Sequence, residues 1–230
     1  MDQFSYLRST IGQKVIMAIT GLLLFGFVVA HLLGNLQMFA GPDAINEYAK
    51  MLKSMPLVLW GARVGLLTVF LLHIAVAISL KKRNMSARPE GYVYEDTVQA
   101  SLASRTMIVT GTLILLYVAY HLAHFTLGVT HPEFFHRTDN KGRHDVYAMV
   151  VLSFQNIGLC SVYILAMGVL AFHLSHGIAS FFQTMGWSTN RLRGTFEMIS
   201  RFVALAIFAG YIAIPVAVQL GLIAVSRGGL

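Results

Sequence analysis

The sequence predicts an all-α integral membrane bundle of five transmembrane helices, with the N-terminus inside and the C-terminus outside. Three observations predict it. Hydrophobic residues make up 56% of the 230 and charged ones only 12%, where a soluble domain carries roughly 25% charged residues. Five apolar stretches are each long enough for a hydrocarbon core, which takes about 20 residues of helix. The connections between them are short and polar, so successive helices run antiparallel in one domain spanning residues 1–230.

The first span covers Lys14–Phe39. Basic residues precede it (Arg8, Lys14), as in a signal peptide. Its apolar run nevertheless exceeds the roughly 7–15 residues of a cleaved leader, so it is expected to be retained. The second span covers Leu57–Leu80 and the third Arg105–Val129. The fourth, Tyr147–Phe182, is long enough to include turns outside the membrane, and the fifth covers Arg201–Val225. With the N-terminus inside, ten basic residues, among them Lys81, Lys82, Arg83 and Arg88, fall on inner segments. Only Lys50, Lys53, Arg137, Lys141, Arg143 and Arg227 fall on outer ones. This bias sets the orientation. Tyr6, Trp60, Tyr92, Tyr94, Tyr147 and Trp187 fall near the span ends, where aromatic belts sit.

The formal charge of +7 does not imply nucleic acid, because the basic residues cluster at span ends rather than along a face or tail. The single cysteine, Cys160, excludes an intrachain disulfide, and the absence of C-x-x-C-H excludes covalent c-type haem. A short internal echo links the first span, F-V-V-A-H-L at Phe27–Leu32, with the third, Y-V-A-Y-H-L at Tyr117–Leu122.

Nine histidines are many for so apolar a chain. His131, His136 and His144 belong to the loop between the third and fourth spans and read as solvated. His31, His73, His121, His124, His173 and His176 lie inside apolar runs, and an ionisable group at membrane depth is a functional-site hypothesis. At 1.5 Å per residue, His31 lies about 25 Å from the inner edge, His121 about 24 Å and His124 about 28 Å. His73 lies about 12 Å and His173 about 15 Å from that edge. Two pairs follow, His31 with His121 on the outer side and His73 with His173 on the inner side. Two imidazoles opposed at one level suit the two axial positions of a haem iron. Zinc would want more ligands at one level. A proton relay would want intramembrane carboxylates, which the span interiors lack. Depth alone leaves His173 and His176 unseparated.

The segments S-T-I-G-Q-K (Ser9–Lys14), A-H-L-L-G-N (Ala30–Asn35) and A-F-H-L-S-H-G (Ala171–Gly177) resemble the five-helix di-haem cytochrome b subunit of succinate:quinone oxidoreductases. That group comprises succinate dehydrogenases and quinol:fumarate reductases. The resemblance runs from about Ser9 to Val225 and implies two haem b groups, with iron ligands His31, His73, His121 and His173. It selects His173 by the pattern Phe172, His173, Ser175, Gly177, and places His121 ahead of His124. It further implies a flavoprotein subunit and an iron–sulfur subunit on the inner face, and quinone, menaquinone over ubiquinone, as the membrane substrate. The expected location is the cell's inner (cytoplasmic) membrane, in a multi-pass complex that can form higher oligomers. The chain carries no dinucleotide fingerprint and no cysteine set for a cluster, so the dicarboxylate chemistry would belong to the partners. One departure is Ala171, where some fumarate-reducing relatives carry a glutamate serving as a proton route.

The quinone site is less legible. Glu47 and Tyr48 offer a proton acceptor and a hydrogen-bond donor beyond His31; their other reading is a surface amphipathic turn, A-I-N-E-Y-A-K-M-L. An inner site near Ser104 and Arg105 is an alternative. Arg63, about 15 Å outward of His73, is expected to meet an outer-haem propionate or the quinone pocket, or to snorkel to the outer surface. Two other functions fit the spans: a di-haem cytochrome b serving a hydrogenase or formate dehydrogenase, and a haem-free transporter.

Overall fold

The computed structural model describes residues 7–87 and 101–225. Tyr6, Arg88, Tyr92, Tyr94 and Arg227, used above as boundary residues, lie outside the described residues. The chain is all-helical, with no strand among the described residues. In order come α1 (Thr10–Asn35), a 3₁₀ turn (Leu36–Ala40), α2 (Pro42–Lys53), α3 (Pro56–Ser86), α4 (Leu102–Arg105) and α5 (Met107–His121). They are followed by a π turn (Leu122–Thr126), α6 (Pro132–Phe135), α7 (Val146–Gln155), α8 (Ile157–Thr184) and α9 (Arg193–Gln219). α1, α3, α5, α8 and α9, the first and third extended by their 3₁₀ and π turns, are long and apolar enough to cross a membrane. The protein is a multi-pass membrane protein.

The fourth span differs from expectation. The run from Tyr147 is broken at Asn156, whose backbone is extended (φ −76°, ψ 112°). Its Oδ1 accepts from the Gly158 and Leu159 amides at 2.9 and 3.1 Å. An asparagine side chain that satisfies the free amides of a helix start nucleates a new helix there. The membrane helix therefore begins at Ile157, and α7 is a separate, largely buried piece. The third span ends sooner than Val129, in a π turn closed by the Leu127 amide on the Leu122 carbonyl at 2.8 Å. The A-I-N-E-Y-A-K-M-L stretch is helical, as α2. Proline opens it, Asp43 sits in its first turn and Lys50 and Lys53 in its last, all of which favour the helix and its dipole.

The chain divides into two compact units, to which every span contributes a segment. Unit 1 comprises Met1–Phe27, Ala62–Gly111 and Phe172–Ala204. In it, Ser79 donates to Gln13 at 3.1 Å, and Phe182 stacks on Phe196 at 4.2 Å. Unit 2 comprises Val28–Gly61, Thr112–Ala171 and Leu205–Leu230. Its core joins Met38, Ile45, Val151, Phe154, Tyr163, Ile214, Ala217, Val218 and Ile223.

A polar clasp closes one end of unit 2. The Arg143 side chain is only 6% exposed and meets Asp43 at 2.6 Å, Asp139 at 2.6 Å and Glu47 at 3.0 Å. Asn46, buried, donates to Asp139 and Asp145 and accepts from the Tyr147 amide. Asp145 in turn caps α7 by accepting from the Ala148 amide. Burial pushes the Asp139 carboxyl up, but the amide and guanidinium of Arg143, the Lys141 amide and Asn46 outweigh it and hold it at about 2. A carboxyl held below its ordinary 3.8 stabilises the fold above that value and loses this contribution as pH falls through about 2. The clasp is therefore expected to hold at neutral pH and to weaken between about pH 4 and 2. Arg143→Gln should lower the thermal midpoint in detergent at pH 7 well beyond Lys141→Gln, whose ammonium meets Asp43 at the surface. Equal midpoints for the two variants would remove Arg143 from its central place.

Candidate functional site

The six membrane-depth histidines fall into two groups. His73 and His173 belong to unit 1, and His31, His121 and His124 to unit 2. His176 follows His173 on α8 in unit 1.

In unit 1 the two expected ligands are held alike. The His73 Nδ1 lies 3.0 Å from the Thr20 hydroxyl on α1, and the His173 Nδ1 lies 3.0 Å from the Thr110 hydroxyl on α5. Each threonine is followed by glycine, and a Cβ built at Gly21 or Gly111 would meet the Cε1 of His73 or His173 at 3.5 or 3.6 Å. The sequence reading missed the threonines, although a signal was present. Thr20-Gly21 precedes His31 by the same eleven residues that separate Thr110-Gly111 from His121, so the echo seen at Phe27–Leu32 and Tyr117–Leu122 is the end of a longer T-G-x₉-H repeat.

In unit 2 the rings of His31 and His121 stand edge to face with centroids 5.9 Å apart. Metal–imidazole nitrogen bonds are about 2 Å, so two imidazoles at roughly this separation could each present a nitrogen to one metal. The His121 Nδ1 is buried and has no hydrogen-bond partner. Tyr117, Phe125 and Tyr163 surround that ring at 5.7, 5.6 and 6.1 Å. Tyr211 lies 6.3 Å from His31 and donates to the Val28 carbonyl at 2.8 Å, fixing α1 one turn before the histidine.

His124 is different. It is 2% exposed, with Nδ1 2.9 Å from the Tyr163 hydroxyl and Nε2 3.0 Å from that of Ser153. Ser153 gives its one proton to the Met149 carbonyl at 2.7 Å, so it accepts from Nε2–H, and Nδ1 accepts from Tyr163. Both nitrogens are used, and no lone pair is left for a metal. The hydrogen-bond partners thus set His124 apart from His121.

The donor set fits a group that needs two axial ligands. Among the described residues no three His, Cys, Asp or Glu side chains gather as a tetrahedral metal would require.

Glu47 lies on α2 in the clasp, bonded to Arg143 and 3.9 Å from Lys50. Tyr48 packs on the backbone of α1, where a Cβ at Gly34 would lie 3.0 Å from its ring and 3.2 Å from its hydroxyl. Gly34 lies three residues beyond His31, and Tyr48 packs at that level of α1. Arg63 is exposed on α3 in unit 1.

No family model matches the chain, and neither a curated protein nor a solved structure matches it significantly.

His124→Ala should orphan the Tyr163 hydroxyl, at a cost of roughly 1–3 kcal/mol when buried without a partner, while Ser153 keeps its bond to the Met149 carbonyl. An unchanged thermal midpoint in that variant would return His124 to the set of candidate ligands.

Proposed function

We propose that this chain is a membrane-embedded di-haem cytochrome b, in which His31 with His121 and His73 with His173 supply the axial nitrogens. One observation carries the reading: the four proposed ligands fall two by two into the compact units, each pair drawn from alternate spans. The 5.9 Å ring separation and the unpartnered His121 nitrogen support the first pair, and the matched threonine contacts support the second. A b haem held by two imidazoles would supply a one-electron iron couple. The chain's own residues do the rest. The histidines hold, Thr20 and Thr110 orient two of them, and the aromatic residues around His121 keep water away.

More particularly, we propose the membrane-anchor cytochrome b subunit of a succinate:quinone oxidoreductase, N-terminus inside and C-terminus outside, in the cell's inner membrane. The motifs at Ser9–Lys14, Ala30–Asn35 and Ala171–Gly177 and the placement of one ligand on each of the first four spans support this. A flavoprotein and an iron–sulfur subunit would dock on the inner face, with menaquinone as the membrane substrate. Tyr48, packed on the end of α1, supports a quinone contact at that level more directly than Glu47, whose carboxylate serves the clasp.

The chain purified from its native membrane should carry two low-spin b haems. His31→Ala and His121→Ala should each remove the same haem, and His73→Ala and His173→Ala the other. A haem-free chain would overturn the class, and loss that crosses the pairs would overturn the pairing. Co-purification with a flavin-bearing partner that oxidises succinate tests the narrower assignment; a partner oxidising hydrogen or formate would replace it.

A further inference from the structure

Thr20 and Thr110 are buried, 3% and 7% exposed, in predominantly apolar helices. The Thr20 hydroxyl lies 2.8 Å from the Ile16 carbonyl and 3.1 Å from that of Met17. The Thr110 hydroxyl lies 3.2 and 3.1 Å from the carbonyls of Thr106 and Met107. A hydroxyl has one proton and two lone pairs. In each case the hydroxyl donates to the carbonyls of its own helix. With its proton there, the oxygen faces the histidine as an acceptor, an arrangement that calls for hydrogen on Nδ1. A neutral imidazole with Nδ1–H has its lone pair on Nε2.

We infer that Thr20 and Thr110 are positioning residues that hold His73 and His173 as Nδ1–H tautomers, with Nε2 presented as the metal-ligating nitrogen. The inference rests on the di-haem reading and adds what sets the ligands' form. A hydrogen bond from the far ring nitrogen fixes the ring's orientation and raises its basicity, and loss of such a partner typically weakens metal affinity 10–100-fold. A more basic imidazole favours ferric over ferrous iron, so these threonines lower the potential of the haem they serve. The arrangement is built into the repeat. α1 and α5 each carry a ligand histidine of one pair and, eleven residues earlier, the threonine that serves the other pair.

The test compares Thr20→Val and Thr110→Val, which keep shape and remove the hydroxyl, with Thr20→Ser and Thr110→Ser, which restore it. All are made in the full chain in its native membrane complex. Haem per chain, retention of each haem through detergent washing, and redox midpoints are read for both haems. Each valine variant is expected to raise the midpoint of the same one haem and loosen it about tenfold or more. The other haem should be unmoved, and serine should bring the midpoint back. Should a valine variant fail to accumulate, the alanine variant at that position carries the same expectation. Midpoints that stay at the wild-type value in valine or alanine variants that keep both haems would overturn the inference while leaving the di-haem reading intact. A wild-type chain without haem would overturn both.

Discussion

A hydrocarbon interior contains no water, so each polar atom placed there must bond to protein or be reserved for something bound. Imidazole makes this demand twice, once for each nitrogen, and the rest of the structure is arranged around it. Among the described residues, the buried polar side chains are Thr20, Asn46, Thr110, His124, Arg143, Ser153 and Ser200. Thr20, Thr110 and Ser153 all contact a histidine, and His124 is one. Asn46 and Arg143 belong to the clasp, and Ser200 bonds within its own helix. Most of the buried polar side chains of the spans thus serve histidine nitrogens. They divide the histidines by state: His124 has both nitrogens occupied, His73 and His173 have Nδ1 occupied, and His121 has a buried Nδ1 with no partner.

The clasp answers a different constraint. A helix as short as α2, 12 residues, is marginal alone in water. It is held by Ile45 in the core of unit 2 and by Asp43, Asn46 and Glu47 bonded to the loop before α7. Glu47 has therefore a structural task that its position in the sequence did not reveal. Its neighbour Tyr48 points to α1 instead, so two adjacent residues grouped as one candidate site serve different surfaces.

The spans were legible because length and hydropathy alone define them, and the two groups of histidines because rise per residue converts sequence position to depth. What depth cannot register is a partner of ordinary composition. Threonine is unremarkable in a membrane helix, and only its shared eleven-residue offset from His31 and His121 distinguishes Thr20 and Thr110. The break at Asn156 was hidden for the opposite reason. Apolar residues continue on both sides of it, so the pattern reads as one span although the asparagine side chain starts a second helix. The ion pairs of Arg143 with Glu47 and Asp43 join residues 96 and 100 positions apart, beyond any local pattern. His124 and His121 share one turn of chain and one composition, and only hydrogen-bond partners tell them apart.

The repeat gives α1 and α5 the same T-G-x₉-H register, yet the surroundings of their histidines are not the same. The fifth span supplies Tyr211 to the turn that carries His31. The π turn that follows His121, together with Tyr163 from α8, builds an aromatic surround on that side alone. A π turn inserts one extra residue per turn and shifts the following side chains around the helix axis. Here the widened turn carries His124 to Ser153 and Tyr163 and lays Phe125 against His121. The repeat thus fixes where the two pairs stand, and the parts outside it make their environments unequal. On the di-haem reading, threonine oxygens would tune one iron and aromatic rings shield the other, so two ligand pairs of identical composition would differ in potential.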